Sequence, residues 1–311
     1  MSFIGIDVSA KTLDVAVEGG AMWQVTNDAA GMATLLTQLG PLAPELIVVE
    51  PTGRYHQLLT TTCVQAGLPV AVVNPRQVRD FARSMGQLAK TDRLDAVLLA
   101  RYAARVQPVP RALPDEATRE LAALVDRRRQ LVEMLKAERQ RLEHARASVR
   151  SSLTQHIRFL EQALADANTD LDQWIEQSPV WQAQDALLQS VPGVGAQTAH
   201  LLLAHLPELG RLSRRAIAKL VGIAPLANDS GRFRGQRSCW GGRAEVRHML
   251  YMAALTGARH NPVLRDCYQR LLAAGKPPKL ALTACMRRLL VILNTMMKTG
   301  RHWTVPTPST P

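Results

Sequence analysis

Apolar residues along this chain follow three successive rhythms. In the first hundred residues they form short runs that end in acids: Phe3-Ile4-Gly5-Ile6 runs into Asp7, and Leu46-Ile47-Val48-Val49 into Glu50. Residues 13–17 alternate apolar and polar, as a half-buried strand does. Strands are therefore predicted at 3–7, 13–17, 46–50 and 69–73, with a further antiparallel strand at 21–26. Asn74-Pro75 breaks the last of them. Helices are predicted at 31–39, 55–66 and 91–104, the third with Thr91 as its N-cap.

The second rhythm, from about 116 to 175, is helical. Leu121, Leu124, Arg128, Leu131, Leu135, Glu138, Leu142, Ala145 and Val149 keep the three-four spacing of a heptad seam, with Arg128 and Glu138 as imperfections. A long helical hairpin or a dimerising coiled coil is expected. In the third, helices at 212–221, 247–258 and 280–298 alternate with glycine-rich turns. Ser190-Val-Pro-Gly-Val-Gly195 joins two helices through Gly193 and Gly195, and it looks like a helix-hairpin-helix element that offers backbone N–H groups to a phosphate. With Pro108, Pro110 and Pro114 as a hinge, the divisions are 1–108, a helical arm at 115–178, a mostly helical domain at 185–303, and a mobile tail at 304–311.

Charge sharpens this division. The 311-residue chain carries a net +12. Residues 1–110 hold nine Lys/Arg and nine Asp/Glu, residues 111–204 hold eleven and thirteen, and residues 205–311 hold eighteen and four. The whole basic excess therefore lies in the last third, as a polyanion-binding surface requires. The sequence is 47% hydrophobic and 21% charged, which describes a folded soluble protein. No apolar run approaches the roughly 18 residues of a membrane span, and no leader pattern is evident. Cys63, Cys239, Cys267 and Cys285 are scattered, which fits reduced thiols rather than a zinc site.

The order βββ-α-β-α-β-α matches a ribonuclease H-like α/β fold. There Asp7 and Glu50 end neighbouring central strands, and the helix carrying Asp92 and Asp95 packs across them. Burying unpaired carboxylates costs several kcal/mol, and the usual offset is a divalent metal. Two Mg²⁺ about 3.5–4 Å apart serve displacement at phosphorus. Asp7 is the expected bridging ligand, with Glu50, Asp92 and Asp95 completing the set. Asp14 is the nearest competing acid; alternation sets it on the strand face opposite Leu13 and Val15. Ser230, in Asp229-Ser230-Gly231, lies within a basic glycine-rich loop with Arg232, Arg234, Arg237 and Arg243, four arginines expected to bind nucleic acid. Taken alone, Asp-Ser-Gly is a common turn.

Resemblance changes the weight of that serine. Gly5-Ile6-Asp7, Glu50-Pro-Thr-Gly53-Arg-Tyr55, Asn74-Pro75 and Lys90-Thr-Asp92-Arg-Leu-Asp95 resemble the DEDD insertion-sequence transposases, a class that includes Piv-type DNA invertases. Val191-Pro-Gly-Val-Gly195, Gly222-Ile-Ala-Pro225, Asp229-Ser-Gly231, Arg234-Gly-Gln-Arg237, Gly241-Gly-Arg243 and Leu250-Tyr-Met-Ala-Ala254 resemble the C-terminal transposase domain of that class. The resemblance implies a RuvC-like metal site of Asp7, Glu50, Asp92 and Asp95, with Ser230 as nucleophile. It further implies donor and target DNA, a structured guide RNA, and a composite site in a dimer or tetramer in the bacterial cytoplasm at the nucleoid. Two other readings stand beside it. A RuvC-like junction nuclease would use metal-activated water and need no Ser230. A non-enzymatic nucleic-acid binder would need no acids.

Overall fold

The computed structural model describes residues 2–53, 55–87, 89, 91–110, 114–235 and 237–305. Arg54 and Lys90 of the quoted motifs, Gln236, and the end of the expected mobile tail from 306 lie outside the described residues. By internal contacts the chain divides into two units, 1–113 and 114–311.

The first unit is built on β1 (Ser2–Val8), β2 (Thr12–Val17), β3 (Met22–Thr26), α1 (Ala29–Leu39), β4 (Pro44–Val49), α2 (His56–Gln65), β5 (Val70–Val72), α3 (Pro75–Ser84) and α4 (Asp92–Val106). Its five-stranded sheet has the order β3-β2-β1-β4-β5. β1 runs antiparallel to β2 and parallel to β4. This mixed sheet is consistent with the ribonuclease H-like order. Ile4, Ile6, Leu13 and Val15 face Met32, Leu35 and Leu59 of α1 and α2. Leu46, Val48 and Ala71 face Val78 and Ala82 of α3 and Leu98, Leu99 and Tyr102 of α4. Burial on both sheet faces explains the uninterrupted apolar runs of β1 and β4.

Helix α3 was not anticipated. Asn74-Pro75 ends β5's segment, but it also begins a helix: Asn74 Oδ1 accepts from the Arg76 N–H at 2.9 Å, and Pro75 occupies the first turn, where its missing N–H costs nothing.

The second unit begins with α5 (Glu116–Glu143) and α6 (Ala147–Glu176). The short turn makes them an antiparallel pair around Leu131, Leu135, Ile157 and Leu160. Leu131, Leu135 and Leu142 of the seam are used within this hairpin, whereas Leu121 and Leu124 pack into the core of the following helices and the seam stops with α5: Ala145 lies in the turn and Val149 is exposed on α6. The two imperfections are accommodated. Arg128 Nε donates to Asn168 Oδ1 at 2.7 Å, and Glu138, though buried, accepts from Arg141 at 2.6 Å. There follow α7 (Pro179–Gln189), α8 (Ala196–His205), α9 (Arg214–Val221), a ribbon of β6 (Asp229–Ser230) and β7 (Phe233–Arg234), α10 (Ala244–His260), α11 (Pro262–Ala273) and α12 (Pro278–Thr299). Helix α11 is a second unanticipated element with the same start signal: Asn261 Oδ1 accepts from the N–H groups of Val263 and Leu264, and Pro262 follows it.

Helix α12 is long and apolar enough, by length and composition, to cross a membrane, which the sequence pattern did not suggest. Half of that stretch is buried, and Cys285, Met286, Leu289, Leu290 and Leu293 pack into the core with Leu202, Leu250 and Leu264.

Candidate functional site: a carboxylate cleft and a serine ribbon

In the first unit the candidate acids stand at two strand ends and one helix start; Asp92 and Asp95 act on Asp7, and Glu50 lines a cleft with Asp95. Ile6 lies opposite Val49 in the parallel β1–β4 pair, so Asp7 and Glu50 follow at the same end of the sheet. Helix α4 crosses over β1 and β2 at unusually short range. A Cβ placed on Gly5 would lie 2.2 Å from both Ala96 O and Ala100 N, so only glycine allows this approach. Ala16, Ala96 and Ala100 continue the small-residue contact. Thr91 caps α4 by accepting from Leu94 N, which puts Asp92 and Asp95 in the first turn, where the helix dipole favours negative charge.

The electrostatics of Asp7 reflect this convergence. Its carboxyl is pushed up from 3.8 to about 6, first by burial, then by the charges of Asp95 and Asp92. Asp14 adds a smaller push in the same direction. Sequence reasoning set Asp14 aside, yet it is the direct cross-strand partner of Asp7 and therefore shares its sheet face. Asp14 is buried, and Gln24 Nε2 donates to both of its oxygens at 3.1 and 3.2 Å. Glu50 and Asp95 line one cleft of about 480 Å³, whose other wall is α3 with Arg76, Arg79, Asp80 and Arg83. Asp80 pairs with Arg83 at 3.5 Å and Arg76 at 4.0 Å. These arginines belong to the helix missed from sequence; the Asn-Pro start signal could have found it.

The donor set, hard carboxylate oxygens, fits a divalent cation, which would offset both the burial and the neighbouring charges of Asp95 and Asp92 that disfavour ionisation of Asp7. A different cluster has metal-like proximity in the second unit: ligand atoms of Asp126, His205 and Glu245 lie within 4.8 Å of one another. There the Arg129 guanidinium already bridges Glu245 at 3.2 Å and Asp126 at 3.5 Å, and His205 Nε2 sits 3.3 Å from Asp126. Hydrogen bonding from His205 holds the Asp126 carboxyl below its ordinary value. These contacts tie α5 to α8 and α10.

Ser230 lies on a two-stranded ribbon, a local order that the bare Asp-Ser-Gly turn did not reveal. It pairs with Phe233 across the turn Gly231-Arg232, while Asp229 pairs with Arg234. Ser230, Arg232, Phe233 and Arg234 are all exposed. Asp229 holds Arg237 at 2.8 Å and Arg234 at 3.6 Å, which stiffens the ribbon. Its base is anchored where Leu226 N donates to Ser238 O at 2.8 Å and where Arg247 donates to Gly241 O and Val221 O.

Arg243 is engaged inside the fold. Its two terminal nitrogens reach Glu208 at 2.5 and 2.6 Å, and Nη1 also donates to His205 O at 2.8 Å. This bidentate fork secures the loop to the end of α8. Replacing Arg243 with lysine keeps the charge and loses the fork, so it is expected to lower stability by about 2 kcal/mol. Unchanged thermal melting of Arg243→Lys would show that charge alone matters there.

At the Val191–Gly195 turn, Gly193 has φ +103° and packs on α10: an added Cβ would meet Gly257 Cα at 2.7 Å. Gly195 is the N-cap of α8, with no side-chain cap and open space around it. The first turn of α8 thus presents backbone N–H groups that no capping side chain covers.

Comparison with known proteins joins these parts. Residues 4–146 match the profile of DEDD transposases of the IS110 type, and residues 185–269 match the transposase IS116/IS110/IS902 family. The chain is 29% identical to the pilin gene-inverting protein of Moraxella bovis, across 96% of this chain and 97% of that protein. It is 28% identical to the pilin gene-inverting protein of Moraxella lacunata over the same shares. A 43.6 kDa protein of insertion element IS110 from Streptomyces coelicolor is 29% identical over 119 residues, which cover 38% of this chain and 29% of that protein.

Proposed function

The chain belongs to the IS110-type DEDD transposase family and is a DNA transposase/recombinase, and on that premise we propose that it exchanges DNA strands through a serine ester formed at Ser230 with the help of the carboxylate cleft. The observation that carries this reading is how the acids lie in the fold: Asp7 and Glu50 follow the paired residues Ile6 and Val49 at one end of the sheet, and Asp92 and Asp95 stand in the first turn of α4, which packs on β1. Burial first, and the charges of Asp95 and Asp92 second, raise the Asp7 carboxyl, and a bound cation would offset both.

Asp7, Glu50, Asp92 and Asp95 would hold the divalent metal that the family implies, two Mg²⁺ in our reading. Bound there, such ions supply Lewis-acid polarisation of a phosphodiester. Ser230 Oγ gives up its proton and bonds to phosphorus as the P–O3′ bond breaks, and the departing 3′-oxygen takes up a proton. A 3′-hydroxyl of another strand then displaces Ser230 and restores the diester, so no external energy source is needed. Arg232, Arg234 and Arg237 bear on the phosphate, while Gly193 and Gly195 open the N-terminus of α8 to the backbone of the duplex. The concentration of positive charge beyond residue 205 supports DNA and a structured guide RNA as partners. Acids and serine act on one phosphodiester when chains assemble as a dimer or tetramer, in the cytoplasm at the nucleoid. The working divisions remain a RuvC-like catalytic domain at 1–108, an arm at 115–178 and a basic domain at 185–303. Full-length similarity to gene-inverting proteins makes inversion of a DNA segment one outcome that this chemistry serves.

The test is a denaturing gel of the full chain, purified with its cellular RNA and incubated with labelled donor DNA and Mg²⁺. A protein–DNA adduct is expected for the wild type, none for Ser230→Ala, and none with chelator. Unchanged strand cleavage in Ser230→Ala would instead establish the junction-nuclease reading, with water as nucleophile.

A further inference from the structure

The serine ribbon has two faces of different character. Directly opposed residues of an antiparallel pair share a face, with Cβ atoms about 4.5–5.5 Å apart. Ser230 and Phe233 are such a pair, and Asp229 and Arg234 are the next. One face therefore carries the hydroxyl and an aromatic ring; the other carries an ion pair. Gly235 lies two residues beyond Phe233, on the same face as the ring. A Cβ on Gly235 would lie 2.2 Å from Asn228 O and 3.1 Å from Phe233 Cε1. No side chain fits there, so the ring lies beside bare backbone. Phe233 is 61% exposed. Arg232 and Arg234 flank it, both exposed.

An exposed aromatic ring on a stiff two-stranded support, next in sequence to exposed Arg232 and with Arg234 on the opposite face, is the chemistry of a base-stacking platform. Cations follow the phosphate chain while the ring takes the face of any base, with little regard to its identity. We propose that Phe233 stacks on the unpaired nucleobase next to the phosphate that Ser230 attacks. It thereby holds that nucleotide out of the duplex and sets the phosphate against the hydroxyl on the shared ribbon face. The inference rests on the serine-nucleophile reading for its catalytic consequence, but the stacking contact itself is measured separately. Because such a contact is indifferent to sequence, it is compatible with target choice being made by base pairing to RNA.

The experiment uses the full chain with its co-purified RNA and donor DNA in which 2-aminopurine is walked through the cleaved end. Fluorescence is read in the Ser230→Ala background, where no chemistry intervenes, and adduct formation is read with Ser230 intact. Binding should quench or shift the probe at one position beside the cleaved phosphate. Phe233→Ala should abolish that signal and slow adduct formation on the order of 10- to 100-fold, the range expected for one base stack. Phe233→Trp should restore both, and Phe233→Leu, apolar but not aromatic, should restore neither. Overall DNA affinity by anisotropy should change less than about threefold, since the arginines remain.

Wild-type adduct rates in Phe233→Ala, or equal rescue by leucine and tryptophan, overturns the proposal. So does a loss of activity that tracks a change in oligomeric mass, which would make Phe233 a contact between copies. If the probe responds to Phe233 but no chain forms an adduct, the stacking platform stands and the serine-nucleophile reading falls.

Discussion

Asp7→Asn is expected to make the metal-free protein more stable while abolishing strand exchange. The amide matches the carboxyl in shape and removes one of the converging charges. In the folded chain Asp7 titrates near 6 instead of 3.8, so the native state binds its proton more tightly than the unfolded state does. Stability from this group is therefore fully present below the ordinary carboxylate value and falls as pH rises towards 6. Above that the penalty is constant. Asp7 is only partly buried, so after discounting for solvent screening the gain from Asp7→Asn at pH 7 is about 1 kcal/mol. Thermal melts in chelator should show the variant and wild type together at pH 4 and apart, with the variant higher, at pH 7. Added Mg²⁺ should reverse the order, because binding to the native state stabilises only the chain that keeps its ligand. Adduct formation should drop by two to three orders of magnitude, the loss of several kcal/mol of charge stabilisation. A wild-type melting point that ignores divalent ions, or a variant that keeps its activity, would remove Asp7 from the metal site.

The second large effect is expected from the smallest side chain. Gly5→Ala adds one methyl group 2.2 Å from the backbone of Ala96 and Ala100, and backbone at a helix centre has no rotamer by which to give way. Helix α4 must shift off β1, which should cost about 3 kcal/mol. The shift would carry Asp92 and Asp95 away from Asp7, so activity should fall further than stability alone accounts for. Hydrogen exchange in the full chain would localise the damage: faster exchange in α4, with α5–α12 unchanged. Native protection of α4 in Gly5→Ala would show that the helix does not approach so closely. No substitution at Ala96 or Ala100 can relieve the clash, because it is with main chain rather than with their methyl groups.

Much of this molecule is legible in one dimension. Strand periodicity marks β1, β2 and β4, because residues buried on one or both sheet faces must be apolar at fixed intervals. Acids ending two of those runs stand out as candidates, because a carboxylate at the end of a buried strand is costly unless something offsets its charge. The seam in α5 is visible even with Arg128 and Glu138 in it. Local signals can be ambiguous. Asn-Pro reads as a strand breaker at 74–75, yet there and again at 261–262 it caps a helix. A proline ends one element and begins the next with the same fixed φ, and only the residues that follow say which matters.

What the sequence determined by itself is the family and most of the strands and long helices, since periodicity, caps and motif order are properties of neighbours along the chain; it also singled out the acids as candidates. What only the tertiary structure decided is which charges meet. Asp14 joined Asp7 because strand register set them opposite each other, and the α3 arginines met Glu50 and Asp95 because the sheet order brought β5's following helix beside α4. Phe233 came to share a face with Ser230 because a two-residue turn fixed their pairing, while Arg243 was drawn to Glu208 and held within the fold. Such pairings depend on register and close approach between segments distant in sequence, and one residue's slip would reverse a face without altering a single motif.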